Sequence, residues 1–175
     1  FVADDWLAII FNPSFPYRLA HMVTASYLTS ALFIAGISAF YLLRKQHRAL
    51  SETSLSIALW GILVLAPLQI FLGDLHGLNS FAHQPLKVAA MEGNWERQAG
   101  APLLLFGLPD QKHAKVDYAI QIPKLSSLIL KHSLDAPLNG LDTVPRENWP
   151  PVPIVFWTFR IMVGLGFLMM GLGLL

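Results

Sequence analysis

Two side chains in this sequence offer donor atoms that suit a haem iron, and both stand in stretches almost free of charge. His21 is the one potentially ionised residue between Leu19 and Leu43, and Met162 lies two positions beyond Arg160, the only charge between Pro153 and Leu175. An imidazole nitrogen and a thioether sulfur can serve as axial haem ligands, and that pairing raises the haem potential. Each also has a plainer reading. A His near a helix end is commonly an interfacial hydrogen-bonding residue, and Met is ordinary lipid-facing filler. Arg160 is harder to dismiss, since a guanidinium in a span costs ~2.5–3.5 kcal/mol on insertion scales. It either snorkels to the headgroups or meets an anion such as a haem propionate. Positions 160 and 162 differ by ~200° on a helix wheel, so they do not share a face. A second constellation lies in HQPLKVAAMEGNWERQ, where Lys87 and Glu92 are ~140° apart on the wheel and form no i,i+4 pair. The plain reading is a solvated face. The chemical reading is a polar site at a membrane edge, where Glu92 accepts a proton and Lys87 donates a hydrogen bond, the work a quinol requires when it is oxidised.

These residues need membrane-spanning elements to position them. The chain has 175 residues, 54% hydrophobic and 13% charged, with a mean hydropathy of +0.51; a soluble chain is about a quarter charged. A net charge of +1 excludes a strongly basic nucleic-acid binder, and the absence of Cys excludes disulfides and thiolate metal sites. Three stretches suit the roughly 20 apolar residues that cross a bilayer: span A over 17–43, span B over 55–72 and span C over 153–175. The basic run RKQHR opens the 44–54 loop and places that loop in the cytoplasm by the positive-inside rule. The N-terminal segment 1–16 and the long segment 73–152 then lie outside, as do the ends of spans A and C that carry His21 and Met162. Segment 73–152 is rich in Gly and Pro, yet it holds the apolar runs Leu103–Phe106, Ile120–Ile122 and Leu125–Leu130. That mixture predicts a folded cap on the membrane surface rather than a solvated linker. GDLHGLN (73–79) reads as a turn at the helix exit, and Lys87–Trp95 as a short surface helix broken near Gly93 after Pro85. Gly164, Gly166, Gly171 and Gly173 allow close approach of a helix or a cofactor to span C. The expected fold is an all-α transmembrane one, with three spanning helices and a long extracytoplasmic loop domain between the second and third. A start at Phe1 and an end inside an apolar run are what a piece of a longer chain would show.

Five runs carry a resemblance: NPSFPYRLAHMVTASYLT (12–29), LGDLHGLN with HQPLKVAAMEGNWE (72–96), LFGLPD (105–110), YAIQIPKLSSLIL (118–130) and VFWTFRIMVGLGF (155–167). In this order they resemble subunit I of bd-type quinol oxidases, bacterial respiratory enzymes of the inner membrane, and within them the short-quinol-loop, cyanide-insensitive-oxidase-like subgroup. The resemblance implies that His21 and Met162 are the axial ligands of a low-spin haem b and that Arg160 stabilises that haem's charge. It implies that Lys87 and Glu92 take part in quinol oxidation within a periplasmic quinol-binding loop, here 73–152. Subunit II, the remaining spans of subunit I and membrane lipid are the implied partners, with no nucleic acid. The high-spin haem b and the haem d of the complete subunit find no matching ligands in this chain, so oxygen reduction belongs elsewhere. Two rival readings remain. One is a non-enzymatic haem-b anchor; di-haem anchors usually need four axial His inside spans, and only His21 qualifies. A transporter subunit would want polar residues near mid-bilayer, where span B offers only Pro67 and Gln69 near its outer end.

Overall fold

A computed structural model describes residues 5–174; residues 1–4 of the N-terminal segment and residue 175 of span C lie outside the described residues. Three helices are long and apolar enough to cross a membrane: α2 (Phe15–Leu43), α3 (Arg48–His83) and α6 (Val152–Gly173). A short α1 (Trp6–Ile10) precedes them, capped by Asp5, whose carboxylate accepts from the backbone N–H of Leu7 and Ala8. The chain divides into two compact units, one being Gly77–Val163 and the other the rest of the described chain.

In the first unit, α2 meets α3 through buried Leu28, Ile62 and Ala66, with Met169 and Met170 packed against them. Two of the four glycines of span C serve this packing. A Cβ on Gly166 would stand 3.7 Å from Ile70 Cγ1, and one on Gly173 would stand 2.9 Å from the backbone nitrogen of Leu63. The positions on Gly164 and Gly171 are open. Helix α2 carries its hydroxyls without cost to the apolar phase because Thr24, Ser26, Thr29 and Ser30 each donate to the carbonyl four residues back.

Helix α3 departs from the sequence expectation. GDLHGLN is not a turn: the helix begins at Arg48 and continues through Gly73 and Gly77 to His83, 36 residues in all. That is ~54 Å of helix, well beyond a ~30 Å hydrocarbon core. Gly73 is there for close packing rather than for a bend, since a Cβ would stand 3.1 Å from His21 Cε1. The stop comes at Gln84, whose φ of −138° and ψ of 58° leave the helical region, as expected of a residue before proline.

The second unit corrects the all-α expectation. Between α4 (Pro85–Glu92) and α5 (Leu125–Lys131) lie β1 (Gln98–Ala99) and the antiparallel hairpin of β2 (Leu103–Asp110) and β3 (Lys115–Ile122). A two-residue β4 (Pro137–Leu138) pairs with β1. In the hairpin, Leu103 faces Ile122 and Asp110 faces Lys115, with register shifts on either side of Phe106. Gly107 sits at the second shift, where a Cβ would collide with the Val116 side chain. Bulges of this kind break the alternation by which strands are recognised. The core of the unit is Ala89, Ala90, Trp95, Leu141 and Val152.

Candidate functional site

Helix α4 is held at both ends by conformations that its sequence demands. Pro85 occupies its first turn, and Gly93 closes it in the left-handed region at φ 73°. Gly93 is constrained twice, because a Cβ there would also stand 3.0 Å from Leu104 Cδ1 and 3.4 Å from Phe156 Cε2. Beyond the cap, Leu141 and Asp142 donate their backbone N–H to the carbonyls of Asn94 and Trp95 at 3.1 and 3.0 Å. The Trp149 indole N–H donates to the Leu141 carbonyl at 2.9 Å and to that of Val144 at 3.1 Å. This strap fixes the chain immediately after Glu92. A recess of about 170 Å³ opens at Gly93 and Asn94, and Gln98, Leu104 and Gln121 also line it.

Glu92 is not on a solvated face. Its side chain is 8% exposed and pairs with Arg160, itself 9% exposed, with Arg160 Nη2 3.1 Å from Glu92 Oε2. The anion that Arg160 meets is therefore a carboxylate of the same chain, 68 residues away. The guanidinium also lies 4.9 Å from the ring centre of Phe156 and 5.2 Å from that of Phe159, so two aromatic faces share its charge. A pair this buried neutralises both partners, and removing one member of such a pair costs about 3–5 kcal/mol because the other stays charged and dry. Arg160 Nε is buried without a partner.

A third group joins the pair. Ser126, at the start of α5, donates its hydroxyl to Glu92 Oε2 at 3.3 Å. Sequence reasoning gave Ser126 no role, although it stands in the KLSSLIL run that carried part of the resemblance; a buried serine has no pattern of its own. Lys87, by contrast, is exposed on α4 and has no side-chain hydrogen bond or ion pair among the described residues. The structure brings Glu92 to Arg160 and does not bring it to Lys87.

His21 and Met162 stand in different units. On α2, His21 is half-buried, and its Nε2 lies 3.1 Å from Gln69 Nε2 of α3. Its Nδ1 is buried without a partner, as is Gln69 Oε1. The His21 Nε2 faces the Gln69 amide and its Nδ1 lies 3.6 Å from where a Cβ on Gly73 would stand, so both ring nitrogens are turned to α3. Met162 is 49% exposed on α6, so its sulfur is not consumed by the core of its own unit. Within the 77–163 unit the Met162 thioether is exposed and Arg160 Nε is unpartnered, while the imidazole of His21 belongs to the other unit.

Over residues 1–175 the chain matches the family model for cytochrome bd terminal oxidase subunit I. It is 38% identical over 145 residues to cytochrome bd-II ubiquinol oxidase subunit 1 of Escherichia coli strain K12, covering 81% of this chain and 28% of that protein. It is 32% identical over 170 residues to the putative cytochrome bd menaquinol oxidase subunit I of Bacillus subtilis strain 168, covering 95% of this chain and 38% of the relative. Its fold is similar to the bd oxidase structure from Geobacillus thermodenitrificans, with a TM-score of 0.86 at 32% identity over 96% of this chain and 39% of that one. The chain therefore spans between 28% and 39% of the length of these proteins.

Proposed function

The chain belongs to the cytochrome bd terminal oxidase subunit I family, and from that membership we propose that it is the electron-input portion of a quinol:oxygen oxidoreductase in the bacterial cytoplasmic membrane. The observation that carries this reading is the buried contact between Glu92 and Arg160. It joins the two runs, KVAAME and FRIMV, that the resemblance assigns to quinol oxidation and to the haem.

Oxidation of a quinol to a quinone releases two protons and two electrons. Glu92 takes a proton from a quinol hydroxyl at Oε1, since both recorded contacts to its carboxylate fall on Oε2. Arg160 holds the carboxylate in place before the proton arrives. Lys87 supplies an exposed hydrogen-bond donor, and the amides of Asn94, Gln98 and Gln121 in the adjoining recess offer further partners to the quinol head. Segment 73–152 lies on the outer face by the positive-inside rule, with the basic turn Arg44–His47 between α2 and α3 in the cytoplasm, and the protons leave on the outer side. By the resemblance, His21 and Met162 would each supply an axial ligand to a low-spin haem b, with Gln69 orienting the His21 ring, and that group would supply one-electron acceptance for the two electrons. Oxygen is reduced elsewhere in the complete subunit, at a high-spin haem b and a haem d, with subunit II as partner.

The test uses the complete oxidase. His21→Ala and Met162→Leu should each abolish the low-spin haem b band in a reduced-minus-oxidised spectrum. Glu92→Gln should keep that band and lower quinol-dependent oxygen uptake by about 100-fold or more, the usual worth of a positioned proton acceptor. An intact band in either ligand variant refutes the haem assignment, and full activity in Glu92→Gln refutes the role of the carboxylate.

A further inference from the structure

We infer that Ser126 is a positioning residue for quinol oxidation, acting through Glu92; this rests on the reading of Glu92 as proton acceptor. Two adjacent serines open α5, and both are buried, Ser126 at 1% and Ser127 at 0% exposure. Their work is divided. Ser127 is structural: its hydroxyl accepts from the Ala101 N–H at 2.8 Å and donates to the Ala136 carbonyl at 2.9 Å, while its own N–H donates to the Ala101 carbonyl at 3.3 Å. It ties α5 to the neighbouring chain on both sides. The hydroxyl of Ser126 makes none of these bonds. Its recorded partner is Glu92 Oε2, at 3.3 Å, the same oxygen that faces Arg160 Nη2 at 3.1 Å.

A carboxylate with two donors on one oxygen is turned so that its other oxygen is the free one. Ser126 therefore sets the direction of the base, without touching the substrate. Arg160 from α6 is the charged group recorded against this carboxylate. Lys124, at the head of α5, is paired with Asp135 instead, and Lys87 on α4 is exposed. Nothing else charged is recorded against Glu92 among the described residues, so the hydroxyl is the one neutral hydrogen bond available to tune it.

The experiment measures kcat and KM for quinol in the complete oxidase carrying Ser126→Ala, Ser126→Thr and Glu92→Gln, beside the low-spin haem spectrum. Ser126→Ala should lower kcat by about ten-fold, the worth of one hydrogen bond, with KM and the haem spectrum unchanged. Ser126→Thr, which keeps the hydroxyl, should restore kcat. An unchanged kcat in Ser126→Ala beside an inactive Glu92→Gln overturns the role of Ser126 and leaves that of Glu92 standing. An active Glu92→Gln overturns the reading beneath it, and a kcat lowered equally by Ala and Thr also overturns the proposal. If Ser126→Ala does not assemble, Ser126→Cys keeps the volume with a weaker donor, and its kcat is judged by the same criterion.

Discussion

Gly73 brings the backbone of α3 against the His21 ring: a Cβ at position 73 would stand 3.1 Å from His21 Cε1 and 3.6 Å from Nδ1. Gly73→Ala should therefore act on the imidazole more than on the helix. In helix terms the substitution is favourable by about 1 kcal/mol. The ring must yield by a few tenths of an ångström, and Gln69, on the same helix, holds its other side. The expected outcome is unchanged or slightly raised thermal stability of the complete subunit with a displaced or weakened low-spin haem b band. An unaltered band would show that the ring is free to adjust.

The buried pair makes a distinct prediction about stability. Arg160→Leu leaves Glu92 charged and 8% exposed, with only Ser126 to compensate, and should destabilise by about 3–5 kcal/mol. Adding Glu92→Leu removes the stranded charge, so the double variant should recover part of that loss although it stays inactive. Thermal unfolding of the purified oxidase, compared across the two single variants and the double, measures the coupling. A double variant whose loss equals the sum of the two single losses would mean that the pair contributes nothing of its own.

How far the sequence foretold this arrangement depends on the range of the interaction. The spanning helices are legible because each is a continuous local run of apolar residues, and the ends at Leu43 and near Val152 lie within a residue of expectation. The extension of α3 through GDLHGLN was not legible. Glycine signals a turn in isolation, and only the proximity of His21 explains Gly73. The β2–β3 hairpin was hidden because its two register shifts around Phe106 spoil the alternation, leaving apolar runs that signal burial without a period. Lys87 and Glu92 shared one reading, a solvated face or a polar site, although they are ~140° apart on a helix wheel. That one is exposed and the other buried follows from α6, which brings Arg160 to Glu92 across 68 residues of chain.

The turn of the hairpin carries a pH dependence with a definite sign. The His113 side chain hydrogen-bonded to Asp110 holds that carboxyl below its ordinary value, helped by the Lys112 and His113 backbone N–H groups. A lowered carboxylate stabilises the folded turn above its unfolded-state pKa, and the contribution is lost as pH falls through the folded one. Amide protection over 110–115 should fall at acid pH, beginning below the ordinary carboxylate range. Asp110→Asn should remove the transition. Hydrogen exchange followed by mass spectrometry reads both, and the same transition in Asp110→Asn would assign it to another group.

Gly140→Ala tests whether the strap behind Glu92 matters for turnover. A Cβ on Gly140 would stand 2.5–2.6 Å from the N, Cα and C atoms of Glu96. These are backbone atoms with no rotamer to escape into, so the strap itself must lift. Lifting it strains the bonds from Leu141 and Asp142 to Asn94 and Trp95, the residues that anchor the chain just past Glu92. The cost should be in the range of about 1–3 kcal/mol typical of overpacking, concentrated in the 77–163 unit. His21 lies in the other unit, and Met162, although in this one, stands ten positions along α6 from Val152, the residue that packs with Leu141. The expected result is a low-spin haem b band near that of the unaltered oxidase, new protease sensitivity around 138–146 and quinol oxidation reduced through both KM and kcat. Retained quinol oxidation despite a nicked strap would show that Gly93 and the Arg160 contact alone are enough to hold Glu92.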